Sequence, residues 1–515
     1  MAEDKAAIDI KTVPVDGTGD EEDGEHNKAL QGSTLDDTDV VPADSEKSDL
    51  YQKRQNMMRN KEKNEKDKLL PKITIDSSAS RQKSYITATR PDSYGMTSAM
   101  SDASAKPLEM CVYFANKTGL EMTLEGGRCT TAEEVFEQLM ELLSLPSEAR
   151  DVFCLWLISP LLELQLKPHH VPFRLTQHWD ELLQKYTTSS EEEIERDEPV
   201  LIMQRNIYYP RELEEKIREP QMLKLLYSEA HSNITEGRYP WDTEHYFVLA
   251  GLASAIENGQ FDEVVHTADF YRENLSQFFP HHMCKPKTTF FGKPKRDSIE
   301  FQLVQEHRST SDQFRNHSIE DLQYKYLQCC WNLPYYGCAF FAGQIERPRS
   351  GLGLFGNPDM DVYIAVNKEG VFIIDDEKAR LLLGLVYKDF SWEYAESAKS
   401  QYNPSCLPCL FIQFKDDLDG DGKYESKILQ VFSKQAVMAD VLIQTFVKLI
   451  HTFNDMTDAG GGDTVDGAPP ILNQINIKEN QEKFSTMLRS RDDLVMCSKL
   501  DKLCLATHNM KKESS

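Results

Sequence analysis

The chain has 515 residues, which at about 150 residues per domain leaves room for three domains. Lys and Arg number 58 against 84 Asp and Glu, and the net charge of −26 argues against a general nucleic-acid or anionic-lipid binder, which needs a positive surface. The 11 cysteines follow no pairing framework and the acidic start MAEDKAAIDI lacks the apolar core of a secretory signal, so composition predicts a soluble intracellular protein with reduced thiols.

Residues 1–107 read as a disordered acidic leader. The first fifty hold 15 acidic and 4 basic residues, and the next twenty, YQKRQNMMRNKEKNEKDKLL, hold 7 basic and 3 acidic. Such a segment cannot bury enough apolar surface to offset its ordering entropy. Within it, Arg81-Gln-Lys-Ser84 sets basic residues ahead of Ser84, a candidate phosphorylation site of a kind common in polar chains.

Order begins near Glu109, and residues 108–209 form the first predicted unit. MCVYFA (110–115) and GLEMTL (119–124) read as a strand pair. Thr130-Thr131-Ala-Glu133-Glu134 opens a helix, with a hydroxyl cap and acids in the first turn, and Val135, Leu139, Leu142 and Leu143 supply its apolar stripe. VFCLWLIS (152–159) and LLELQL (161–166) read as strands about a Ser-Pro turn, followed by a short helix at 178–186 and a closing strand, VLIMQR (200–205). This order fits a ubiquitin-like β-grasp. Its most apolar stretch, 152–166, is broken by Ser159, Pro160 and Glu163, too short for the ~20 residues that span a bilayer.

Over 210–335 the period changes to 3.6. Leu223, Leu226, Tyr227, Ala230 and Ile234 share one helical face; Tyr246, Leu249, Ala253 and Ile256 share another; Gly237 and Gly259 sit where helix ends are expected. The polar stretch Thr288–Ser318 predicts a loop, and a last helix runs over 319–330. Residues 336–455 return to strands: 338–346, 362–367, 371–375, 381–387, 391–394, 409–414 and 427–433. A helix follows from Lys434, with Met438, Leu442, Phe446, Leu449 and Phe453 at helical spacing. Seven short strands closed by one amphipathic helix predict a PH/PTB-like (pleckstrin-homology or phosphotyrosine-binding) sandwich. Residues 456–515 are polar and weakly patterned, so the sequence predicts a mostly disordered tail.

Motifs that carry chemistry are weak throughout. Gly351-Leu-Gly353-Leu-Phe-Gly356 matches the dinucleotide fingerprint, but Asn357-Pro358 and a strand follow where a helix is required. Asp417-Leu-Asp419-Gly-Asp421-Gly422 opens like a calcium loop, yet its twelfth position is Ile428 in place of a carboxylate. Cys406 and Cys409 form a lone C-x-x-C with no second pair, and His169-His170 and His281-His282 lack a metal-binding frame. No nucleophile is found with its base, so the sequence predicts no catalysis, no metal and no cofactor. Lys285, Lys287, Lys293, Lys295 and Arg296 cluster around Phe290 and Phe291; the simpler reading is a solvated loop, the other a local contact with an anionic membrane.

Three units in this order resemble the FERM domain. The run LKLLYSEAHSNITEGRYP (223–240) resembles the entry to its second lobe, LPYYGCAFF (333–341) the junction into its third, and DVFCLWLISPLLELQLKPHHVPF (151–173) resembles the divergent Bili, or iRhom-tail-associated, branch. The resemblance implies a non-catalytic α+β adaptor with ubiquitin-like, helical acyl-CoA-binding-protein-like and PH/PTB-like lobes. It implies a cytoplasmic protein, peripheral at the plasma membrane, that binds cytosolic tails of membrane proteins. In that branch these are iRhom tails, with consequences for surface stability of an ADAM-type sheddase, and Wnt co-receptors. The rival implication is a small-GTPase effector of the Krev-interaction-trapped type, acting through the first lobe. In pleckstrin-like lobes the fifth strand and the C-terminal helix flank a groove into which an extended peptide adds as a strand. Here that expectation falls on Phe390, Trp392 and Tyr394 of the strand and on Leu442 and Phe446 of the helix.

Overall fold

The computed structural model describes residues 106–284, 298–346, 359–397, 406–416 and 425–458. Ser84, the basic segment at 285–296, the glycine motif at 351–356 and the acidic loop at 417–422 lie outside the described residues.

The first lobe is a five-stranded sheet. Its strands are β1 (Leu108–Phe114), β2 (Gly119–Leu124), β3 (Phe153–Ile158), β4 (Glu163–Gln165) and β5 (Val200–Arg205), in the order β2-β1-β5-β3-β4 with β1 and β5 parallel. Alternation in β1 and β2 sends Met110, Val112, Phe114, Leu120, Met122 and Leu124 into the core. Helix α1 (Ala132–Leu143) covers the sheet and starts at a capping box, in which Glu134 N–H donates to Thr131 Oγ1 and Thr131 N–H to the Glu134 carboxylate. Three short helices follow: α2 (Pro172–Gln177), α3 (Trp179–Tyr186) and α4 (Glu191–Arg196). Of these, only α3 is long enough to register as a periodic pattern in the sequence.

The second lobe contains α5 (Pro220–Thr235), α6 (Thr243–Asn258), α7 (Ala268–Asn274), α8 (Ile299–Gln313) and α9 (Ile319–Cys330). The predicted loop at 288–318 is corrected here, since the 15 residues of α8 occupy about half of it and pack along α6. Its inner face escaped the periodicity search because only Leu303 is a large buried hydrophobe; Glu300, His307, Thr310 and Ser311 are buried beside it. Gly251 of α6 permits the close approach, for a Cβ there would sit 2.7 Å from Thr310 Oγ1.

His307 is fully buried and bonded at both nitrogens, with Nε2 2.8 Å from the Gly259 carbonyl and Nδ1 2.6 Å from the Tyr271 hydroxyl. The carbonyl can only accept, so Nε2 carries the proton and Nδ1 accepts from Tyr271. Burial lowers the imidazole to about 4; the Gly259 bond opposes this and His266 adds to it. The folded state therefore prefers neutral His307. Its stabilisation is complete above the unfolded value near 6.5 and is lost as pH falls from there to about 4. Wild type is expected to lose up to about 3 kcal/mol more than His307→Gln across that window, measured as urea midpoints against pH.

The third lobe is one seven-stranded antiparallel sheet: β6 (Ala339–Ile345), β7 (Met360–Val366), β8 (Gly370–Asp375), β9 (Arg380–Val386), β10 (Phe390–Ala395), β11 (Cys409–Asp416) and β12 (Glu425–Phe432). The order is β10-β11-β12-β6-β7-β8-β9, and helix α10 (Ala436–Asp458) plugs the sandwich so formed. One core of buried side chains runs through the first two lobes into Phe340, Phe372 and Ile374 of the third; the second core lies inside the third lobe and includes Ile412, Leu429, Ile443 and Phe446. Arg205, at the end of β5, stands where the lobes meet. Gly337 (φ +67) lies against its guanidinium, 2.5 Å from where a Cβ would be.

Candidate functional site: a strand edge beside the last helix

The two edges of the third-lobe sheet differ. The turn into β9 packs on the helical lobe, where Ala379 Cβ lies 2.8 Å from the Cβ position of Gly237 (φ +78), and most β9 side chains are buried. Among the described residues strand β10 pairs with β11 alone, Phe390 opposite Phe414 through Ala395 opposite Cys409. Along it Phe390, Trp392 and Tyr394 are half-buried against the lobe core, whereas Ser391 and Glu393 are exposed.

A ladder of aromatic rings stands behind this edge. Tyr387 and Phe390 have centroids 5.8 Å apart, and Phe390 and Trp392 5.9 Å. Trp392 Nε1 donates to Asp440 Oδ1 of α10 at 2.9 Å, and Gln444 Nε2 donates to Asp440 Oδ2 at 2.8 Å. The indole thus ties strand to helix through a charge-assisted bond. Burial raises the Tyr394 hydroxyl above its usual range, and Glu396 and Asp440 raise it further, which places acidic groups along this flank.

Leu442 and Phe446 belong to the third-lobe core against which Phe390, Trp392 and Tyr394 of β10 pack. Both are buried, at 6% and 3% exposure, inside the third-lobe core, and the Phe446 ring meets Tyr208, from the connection after β5, at 5.6 Å. Being buried, they offer little open surface to a partner; the helix residue bonded to Trp392 is Asp440, which Gln444 also meets. The apolar stripe of an amphipathic helix marks what it buries, and sequence gave no signal for the polar flank. The first and third lobes touch directly, through Lys434 Nζ donating to the Gln184 carbonyl at 3.0 Å and Gln435 Nε2 to that of Leu161 at 3.3 Å.

The cysteine and histidine candidates that fall on described residues have structural settings. Cys406 is a half-buried free thiol, and Cys409 is buried at the start of β11. His170 accepts the Lys167 N–H at 3.2 Å within a turn, and His281 and His282 begin a four-residue helix. Among the described residues no group of three or more His, Cys, Asp or Glu is placed to hold a metal, and no helix is long and apolar enough to cross a membrane. A cavity of about 30 Å³ lies at the lobe junction between Trp156, Glu229, Asn233, Arg238 and Phe340, a volume on the scale of a water molecule.

Comparison with known proteins accounts for this architecture. Residues 212–341 match the model of the FERM central domain, and residues 360–442 match that of the KRIT1/FRMD8 FERM domain C-lobe. The chain is 35% identical to FERM domain-containing protein 8 of Danio rerio, over 80% of this chain and 88% of that one. It is 33% identical to its namesakes in Xenopus tropicalis, over 79% and 87%, and in Homo sapiens, over 72% and 80%. The β-grasp, the helical lobe and the helix-plugged sandwich are a FERM module, and FERM adaptors are generally non-catalytic. This chain belongs to the FERM domain-containing protein 8 family.

Proposed function

We propose that the protein is a non-catalytic cytoplasmic adaptor, peripheral at the plasma membrane, that captures extended cytosolic tails of membrane proteins along β10. The observation that carries this is the edge itself. Among the described residues one side of β10 is without a neighbouring strand, its half-buried aromatic residues alternate with exposed Ser391 and Glu393, and Trp392 is anchored to α10. Backbone hydrogen bonds along such an edge supply affinity, and alternate side chains supply specificity. Phe390, Trp392 and Tyr394 are the contact residues on this reading, with Asp440 and Gln444 as the helix wall. iRhom-type tails, and through them an ADAM-type sheddase, are the partners to which the family resemblance points, with Wnt co-receptor tails as the other member of the class.

Peptide-induced changes in amide hydrogen exchange test this. Adding an iRhom-type tail peptide to the full chain should slow exchange at 390–395 by about tenfold or more. Protection confined to other elements, with β10 unchanged, would exclude strand addition. A GTPase-effector role is the second reading, favoured by the shared model with KRIT1 for the third lobe. Partner capture that requires GTP would select it.

A further inference from the structure

The three lobes meet around a carboxylate that has no cation of its own. Glu229 lies on α5 and lines the water-sized cavity between Trp156 of the first lobe and Phe340 of the third. Arg205 N–H donates to Glu229 Oε2 at 2.7 Å, and Trp156 Nε1 donates to the Arg205 carbonyl at 3.2 Å. The end of β5 is thus held to the second lobe by one backbone bond to Glu229. Both guanidinium groups of the junction are already matched, Arg205 to Glu214, and Arg238 to Glu163 and Glu236. Among the described residues Glu229 forms no ion pair, so its ionised form adds an uncompensated charge beside two other carboxylates.

The groups around it come from every lobe. Glu163 stands on β4, Glu214 on the connection after β5, and Arg238 follows α5 with its guanidinium 5.4 Å over the Phe340 ring. Cys154 of β3, Tyr239 and Cys338 are the other titratable neighbours, and burial pushes all three up, so they stay neutral near pH 7. His231 of the same helix turns away, to the Tyr326 hydroxyl and the Gln277 carbonyl. Withdrawal from water pushes the Glu229 carboxyl up to about 7; the Arg205 amide and guanidinium oppose this, and Glu214 and Glu163 add to it.

We propose that Glu229 is a proton-operated latch on the lobe junction: with its proton bound the three lobes close around it, and with the proton lost its unpaired charge draws water into the cavity and loosens their contact. A solvated Glu titrates near 4.3. The closed junction therefore gains most from Glu229 below that value, and the gain is lost as pH rises from there to about 7. Between pH 6 and pH 8 opening should become about tenfold more frequent. The junction then responds to pH around neutrality, whatever β10 binds.

Amide hydrogen exchange of the full-length protein at 203–206 and 337–340 tests this, at pH 6 and pH 8, with each rate divided by that of the unfolded sequence at the same pH. Wild type should lose about tenfold in protection between the two. Glu229→Gln keeps an acceptor for the Arg205 N–H and carries no charge, so its protection should be equal at both. At pH 6 the two proteins should melt alike; if the variant melts lower, Glu229→Ala takes its place under the same criterion. Equal protection of wild type at the two pH values overturns the proposal. So does a wild-type loss that the neutral variant reproduces, which assigns the titration to another buried group such as Glu369.

Discussion

Replacing Glu214 with alanine is expected to remove about 3–5 kcal/mol of stability, because it leaves a buried guanidinium without its counter-charge. Glu214 is fully buried and Arg205 is 5% exposed. Arg205 Nε donates to Glu214 Oε2 at 2.6 Å, Nη1 to the Asn206 carbonyl at 3.1 Å and Nη2 to that of Tyr209. The other carboxylate oxygen accepts Trp331 Nε1 at 2.8 Å and the Tyr336 hydroxyl. The pair therefore joins the end of the first lobe, the start of the second and the entry to the third. Burial pulls the guanidinium down, but Glu214 and then Tyr336 outweigh it and hold Arg205 above its ordinary value. Arg205→Met together with Glu214→Leu should recover much of the loss, since both desolvation costs then vanish. Urea midpoints of the three proteins check this. A single-variant loss below about 1 kcal/mol would show that the junction is not held by this pair.

Phe446→Ala is expected to cost about 3–5 kcal/mol, and polar replacements of Leu442 and Phe446 together to unfold the third lobe. Phe446 fills the second core next to Ile443 and carries Tyr208 on its outer edge. Loss of tail capture in such a variant would report loss of the fold rather than of a contact. Asp440→Ala is the informative companion. It frees the Trp392 indole and removes a charge from the flank while leaving the apolar stripe of α10 intact. Circular dichroism melts separate the two, with a large downward shift for Phe446→Ala and a small one for Asp440→Ala.

Much of the architecture was legible without coordinates. The strands of both sheets alternate or run apolar over five to eight residues, and α1, α5, α6 and α9 carry clean stripes, so a periodicity reading finds them. The helix α8 was not legible, because a face made of Glu300, His307, Thr310 and Ser311 looks solvated until Tyr271, Arg272 and Gly259 are seen to satisfy it. The buried junction was equally hidden. Arg205 and Glu214 are ordinary surface residue types, nine apart in sequence, and only packing makes them partners.

The candidate strand is legible in the sequence as an aromatic, alternating segment at 390–394, whereas the helix residues that periodicity selects, Leu442 and Phe446, are buried in the lobe core and the polar Asp440 is the one bonded to Trp392. Hydrophobic periodicity records which side of a helix is withdrawn from water and is silent about what stands beside the opposite flank. Sequence alone thus determined three lobes, their order and the segment that ends the last sheet. Which sheet edge stays open, which helix residues border it and how the lobes are locked together were decided by tertiary packing, since each depends on contacts between residues far apart in the chain.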